Sequence, residues 1–257
     1  MKISIIGTGN VATQLALGLE QKGLSVVEVY GRNASKAKAL INKLYIANYV
    51  SSLDFRNSPA DVFIICVSDN AIEEIAQNIM LPPQALLLHT SGSVPMQLLT
   101  NYHSNVGILY PLQSISLQKS TQWQEVNLVI NCNQESTLPL LVKLASKLSP
   151  NVYRYSDEQR KAMHLAAVFG SNFTNHLLKI VKDIADAEGL DFGLFRSLIL
   201  NTVQKAFDIG PEASQTGPAI RNDQGIIDAH LDMLKDSQGL EELYQMLTKH
   251  IQATYQK

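Results

Sequence analysis

The chain has 257 residues, 46% hydrophobic and 17% charged, with 21 Lys and Arg against 23 Asp and Glu for a formal net charge of −2. That balance argues against nucleic-acid and acidic-membrane partners, which need a surplus of cations. The length allows one or two domains and an extensive core. The two cysteines, Cys66 and Cys132, lie in separate apolar runs and read as buried, reduced thiols, which excludes a disulfide scaffold and a zinc spacing.

The N-terminal apolar run is only Ile3–Ile6, cut by Gly7-Thr8-Gly9-Asn10, so it does not read as a signal peptide. No stretch approaches the roughly 20 apolar residues of a membrane span. A soluble, cytoplasmic protein is expected. Short β-branched runs then alternate with helical patterns. Strands are predicted at Lys2–Ile6, Ser25–Tyr30, Asp61–Val67, Ala85–His89, Asn105–Tyr110, Val126–Asn131 and Asn151–Tyr155. Helices are predicted at Asn10–Lys22, Ala34–Leu44, Ala71–Ile79 and Glu135–Leu148. Several strands are apolar on both faces, as helix-covered parallel strands are. The alternation implies an α/β, doubly wound, mainly parallel sheet over residues 1–155.

After Tyr155 the strand signal stops. Residues 156–257 are expected to form a smaller all-helical domain. Asp157–Glu188 reads as one long helix ended by Gly189. Asp191 and Asp223 are expected to cap later helices. A last helix runs to about Tyr255.

Gly7-Thr8-Gly9-Asn10-Val11-Ala12 is a G-x-G-x-x-A turn between the first strand and the first helix, the setting of a dinucleotide fingerprint. Gly7 would permit the turn, Gly9 would admit a pyrophosphate at the helix N-terminus, and Ala12 would allow close packing. The second strand ends in Tyr30-Gly31-Arg32-Asn33 with no acidic residue at its tip, since Glu28 lies within the strand. Arg32, with Asn33, Ser35 and Lys36, suits a 2′-phosphate, which favours NADP over NAD. Other strand ends place Val67-Ser68, His89-Thr90-Ser91-Gly92-Ser93 and Tyr110-Pro111-Leu112-Gln113 at the same edge of the sheet, where ligands bind in such folds.

On the long helix, a step of about 100° per residue puts Asp157, Arg160, Lys161, His164, Val168, Ser171, Asn175, Lys179, Lys182 and Asp186 on one stripe. The charged ends of that stripe read as a wet face. The middle, with Ser171, Asn172 and Asn175 and no long charged side chain, reads as lining a cleft. His164 is the natural proton-transfer group, with a structural histidine as the alternative. The hydroxyls of Ser91 and Ser171 are further proton-transfer candidates.

These motifs together resemble a family. The chain is similar to predicted NADP-dependent oxidoreductases with a Rossmann-like N-terminal domain and a helical C-terminal domain of unknown function. Those are distant relatives of pyrroline-5-carboxylate reductase, β-hydroxyacid dehydrogenases and prephenate dehydrogenase. The resemblance rests on GTGNVA (Gly7–Ala12), HTSGS (His89–Ser93), YPLQS (Tyr110–Ser114), HLAAVFGSNFTNHL (His164–Leu177) and TGPAIRND (Thr216–Asp223). It implies a helical domain of the 6-phosphogluconate dehydrogenase C-terminal type. It implies that Gly7–Ala12 and Gly31–Asn33 hold NADP, and that Ser68 and Thr90–Ser91 border the nicotinamide. It also implies that the His164–Asn175 face and Thr216–Arg221 close the cleft over a small-molecule substrate. Two departures stand out. No Lys occurs between Lys161 and Lys179, where β-hydroxyacid dehydrogenases carry a catalytic one, and Tyr110 stands where relatives often have His. Tyr110, Gln113, Thr216 and Arg221 are the substrate-binding candidates. Arg221 reads either as a carboxylate fork or as a free surface cation. The expected activity is hydride transfer between NADP(H) and a small carbonyl, imine or hydroxy acid. A non-catalytic NADP-binding or sensing protein is the alternative. Apolar residues such as Phe169, Phe173, Leu177, Leu198 and Leu200 make the helical domain the expected surface of a homodimer.

Overall fold

The computed structural model describes residues 1–255, which form two compact units dividing between His176 and Leu177. The first unit holds an eight-stranded sheet of β1 (Lys2–Ile6), β2 (Ser25–Tyr30), β3 (Asn48–Val50), β4 (Val62–Ile65), β5 (Leu86–His89), β6 (Val106–Leu112), β7 (Asn127–Cys132) and β8 (Val152–Arg154). Their order is β3-β2-β1-β4-β5-β6-β7-β8. All neighbours are parallel except β6 and β7. Seven strands lie where the apolar runs predict them. The eighth, β3, is a three-residue edge strand, Asn-Tyr-Val, too short and too exposed to give an apolar run.

Alternation along each strand splits the core into two faces. Val62 and Ile64 join Ile3, Ile5 and the α1 (Asn10–Gln21) residues Leu15 and Leu19. Phe63 and Ile65 join Ile72 and Ile75 of α3 (Asp69–Asn78) on the other side. The remaining helices of this sheet are α2 (Ala34–Ile41), a single turn α4 (Gln97–Thr100) and α5 (Leu138–Leu148). The chain lays β2 and β3 on one side of β1 and then crosses to lay β4 on the other. The C-terminal ends of β1 and β4 therefore flank the reversal of strand order, the place where this architecture leaves a crevice.

The strands stop at Arg154, beside the change of pattern at Tyr155, but the first compact unit runs on to His176. It includes α6 (Asp157–Ala167), because Arg160 bonds that helix to the loop after β5. The unbroken helix expected over Asp157–Glu188 is instead interrupted by a π-helical stretch, Val168–Phe173, before α7 (Thr174–Ala187). Thr174 Oγ1 donates to the Phe169 carbonyl at 3.2 Å, and the Phe169 and Phe173 rings meet edge to face across the stretch. A widened turn changes the phase of every residue after it relative to a regular 3.6-residue count.

The second unit begins within α7. Gly189, at φ +68°, ends that segment, and the Leu190 N–H returns to the Ala185 carbonyl at 2.8 Å. Asp191 accepts from Gly193 N–H at a short 3₁₀ turn ahead of α8 (Arg196–Ile209). Two single-turn helices follow, α9 (Pro211–Ser214) and α10 (Pro218–Arg221). Asn222 closes α10 in the left-handed conformation. Asp223 caps α11 (Gln224–Leu234), and α12 (Gln238–Tyr255) is last. No helix among the described residues is long and apolar enough to cross a membrane.

Candidate functional site

A cleft of about 690 Å³ opens in the first unit at the β1–β4 edge. Its first wall is backbone. Gly7 sits at φ +131°, and a Cβ there would lie 2.2 Å from the Cys66 carbonyl oxygen, so only glycine fits between β1 and β4. Gly9 is the N-cap of α1, and a Cβ on it would meet nothing within 4 Å. The cap has no side-chain hydrogen bond, and the first turn of α1 holds no acidic residue. The N–H groups of that turn are thus left for an anionic ligand. Thr8, Asn10 and Val11 also line the cleft, while Ala12 is fully buried beneath it and packs α1 on the sheet.

Glu28, the nearest acid to the second strand's tip, accepts from the Ser4 and Ser58 hydroxyls at 2.5 Å each. It is engaged inside the sheet and not offered to a ribose. Gly31, Arg32, Asn33 and Lys36 line the cleft instead. Asn33 spends its side-chain oxygen on the Lys36 N–H, capping α2. Arg32 and Lys36 are exposed cations in no ion pair among the described residues. These features fit a dinucleotide: a glycine cradle and an uncapped helix N-terminus, with free cations at the tip of the second strand.

The other end of the cleft is made of side chains from distant segments. Val67, Ser68, Thr90, Ser91, Tyr110, Gln113 and His164 all line it. Tyr110 O–H and His164 Nδ1 are 3.2 Å apart, their rings edge to face at 6.0 Å. Burial pushes the Tyr110 phenol above its ordinary value, while the nearby Arg160 charge pulls the other way. Gly92 lies under this pair. A Cβ there would come within 2.5 Å of His164 Nδ1 and 2.9 Å of the Tyr110 ring. The Ser91 hydroxyl accepts from the Ser93 and Val94 N–H groups at 3.1 and 3.0 Å, so its lone pairs hold the turn. Cys66 also lines the cleft, but burial pushes its thiol up to about 12, which keeps it protonated.

Arg160 corrects the sequence reading. The helical stripe places it on a wet face, yet its side chain is 1% exposed. Nη1 donates to the Ser91 carbonyl and Nη2 to the Val94 carbonyl, both at 2.6 Å, and Nη2 also meets Asp157 at 2.8 Å. The second Asp157 oxygen accepts from Met96 N–H at 2.7 Å. His89, at the end of β5, accepts from Ser91 N–H through Nδ1, and burial together with the Arg160 charge holds its imidazole down to about 4. An Asp-x-x-Arg spacing was the visible signal, but an i,i+3 ion pair suits a solvated helix face equally well. Gln14 is a second unforeseen contributor. It accepts from Thr121 N–H and donates to the Ser116 and Lys119 carbonyls, fixing the loop after β6 against α1.

Ser171, Asn172 and Asn175 are not brought to the cleft. Ser171 and Asn172 lie in the π-helical stretch and Asn175 just beyond it, so the regular stripe that grouped them with His164 does not hold there. Asn172 and Asn175 are exposed. Thr216 and Arg221 belong to the second unit, just before α10 and at its last residue, and both are exposed.

The family model described as "NADP oxidoreductase coenzyme F420-dependent" matches residues 2–91, and "Domain of unknown function (DUF2520)" matches residues 126–251. None of the curated proteins compared with the chain matches it. Among solved structures, the chain is similar to a protein from Bacteroides fragilis named a putative NADP oxidoreductase. They share 37% identity over 98% of both chains, with a TM-score of 0.92. Protein TM1727 from Thermotoga maritima is 23% identical over 99% of this chain and 100% of its own, with a TM-score of 0.79. A reductive aminase from Aspergillus terreus, in complex with NADPH and ethyl levulinate, is 14% identical over 99% and 94%, with a TM-score of 0.74. The last two show a shared fold, a Rossmann domain followed by an all-α domain. By its relationship to the Bacteroides protein and by both family models, the chain belongs to the oxidoreductase family in which an NADP-oxidoreductase dinucleotide-binding domain is followed by the DUF2520 domain.

Proposed function

We propose that the protein is an NADP(H)-dependent oxidoreductase acting on a small carbonyl, imine or hydroxy-acid substrate. The observation that carries this reading is one cleft with two chemistries: glycines, an uncapped helix and free cations at one end, and the Tyr110–His164 pair at the other. The nicotinamide, when bound, supplies or takes up the hydride. Gly9 and the first turn of α1 would receive the pyrophosphate, and Arg32 and Lys36 the 2′-phosphate. In this reading Tyr110 O–H is the donor to His164 Nδ1, and the imidazole proton sits on Nε2 for transfer to or from the substrate's oxygen or nitrogen. Ser91 shapes the turn beside them. A sensing protein without catalysis calls for no polar groups at the far end of the cofactor site. Ser91, Tyr110, Gln113 and His164 favour catalysis over it.

A screen of small keto acids, imines and hydroxy acids, read by NADPH absorbance, tests the proposal. Robust turnover of one class is expected. NADPH binding with no turnover across the set would favour the sensing protein, and no NADPH binding would overturn both readings.

The second unit supports a homodimer. Among its described residues only Ala185, Ala219, Ile227 and Thr248 are buried, while Leu194, Leu198, Phe207, Met233 and Met246 are each more than 60% exposed. A unit this size needs further apolar burial to be stable. Light scattering after size exclusion should give twice the chain mass; a stable monomer would refute the dimer.

A further inference from the structure

We propose that the ion pair of buried Arg160 with half-buried Asp157 is the positioning device of the proton-transfer site, fastening the first turns of α6 to the loop after β5 so that His164 is held against Tyr110. The inference rests on the reading of Tyr110 and His164 given above, but its geometry stands on other atoms.

Arg160 is among the largest fully buried side chains of the protein. A buried guanidinium is tolerated only when its donors are satisfied and its charge is compensated. Here the loop after β5 meets the first condition and the preceding turn of α6 meets the second. The Ser91 and Val94 carbonyls take the fork, Asp157 supplies the charge, and the free Asp157 oxygen returns to the same loop at Met96 N–H. Three hydrogen bonds therefore bind one helical turn to residues 91–96, and a fourth joins Arg160 to Asp157 within that turn. The N-terminus of α6 is fixed separately by a capping box between Ser156 and Gln159.

His164 lies four residues beyond Arg160, one turn further along the same helix face. Once Arg160 is seated, the place of His164 is determined. It stands where Gly92, directly after the first of the two carbonyls that Arg160 grips, leaves room for it. The clamp and the clearance thus belong to the same turn of chain. Tyr110 meets His164 from β6, with Met96 and Met163 packed beside that cluster. A surface-type Asp–Arg pair needs none of this. The two 2.6 Å bonds to backbone carbonyls make it a device for setting a distance between two segments.

The readout is the His164 ring itself. In the wild-type protein, Tyr110 O–H on Nδ1 should hold one tautomer, with the proton on Nε2, visible in the imidazole ¹⁵N shifts of the cofactor-free protein. Asp157→Asn preserves shape and removes the charge. Arg160→Lys keeps a charge but cannot span Ser91, Val94 and Asp157 together. Both should leave NADPH affinity within about threefold while His164 moves toward a mixture of tautomers, and turnover should fall about 100-fold at saturating cofactor. A His164 signal unchanged in both variants would overturn the positioning role. Loss of the single tautomer with full turnover would uphold it and instead overturn the assignment of His164 to proton transfer.

Discussion

The two ends of the cleft are built differently. The dinucleotide end is backbone: Gly7, Gly9 and the N-termini of α1 and α2, all within the first 36 residues, with Arg32 and Lys36 beside them. The proposed reacting end is side chain: Ser91, Tyr110 and His164 come from three segments separated by up to 73 residues, with Arg160 bonded to the Ser91 carbonyl and Gly92 leaving room for the Tyr110–His164 contact. The first is specified locally, by a turn that only glycine can make. The second is specified by tertiary packing and should be the more sensitive to small displacements.

That contrast can be broken or sharpened by substitution. His164→Ala should lower turnover by on the order of 10²–10⁴ while leaving NADPH affinity unchanged; near-normal turnover would remove His164 from the chemistry. The acid limb of stability comes next. His89 is buried neutral, its value lowered from 6.5 to about 4. The unfolded chain therefore binds the extra proton first, and stability is lost as pH falls from about 6.5 toward about 4, by roughly 3 kcal/mol in all. In His89→Asn, whose amide oxygen can still accept from Ser91, denaturant melts across that range should show a shallower loss. An unchanged limb would mean that other groups set it. Gly92→Ala should cost about 30-fold in turnover, because the new Cβ pushes His164 from Tyr110. Equal activity would show that the pair's contact is dispensable. Arg32→Ala should weaken NADPH about tenfold and NADH hardly at all; equal loss for both would deny it the 2′-phosphate.

The same contrast explains what the sequence makes legible. Strands such as Val62–Ile65 and the Gly7–Ala12 turn announce themselves because burial on both faces and a forced φ leave few residue choices. His164 stands out for its chemistry, and Tyr110 and Ser91 for their place at strand ends. Arg160 does not, because helical spacing gives a face its polarity but not its neighbour: the stripe is polar, and the polar groups it meets are backbone carbonyls of another segment. The π-helical stretch at Val168–Phe173 is equally silent in a count of 100° per residue, which assigns Ser171, Asn172 and Asn175 to a cleft they do not line. β3 is missed because edge pairing with β2 needs no apolar run.

A crystal structure of the protein with NADPH tests the central claim most directly. The pyrophosphate should lie against Gly9 and the first turn of α1, the 2′-phosphate should contact Arg32 or Lys36, and the nicotinamide should reach the Tyr110–His164 end of the same cleft. A cofactor seated elsewhere, or one whose nicotinamide turns away from His164, would contradict the account.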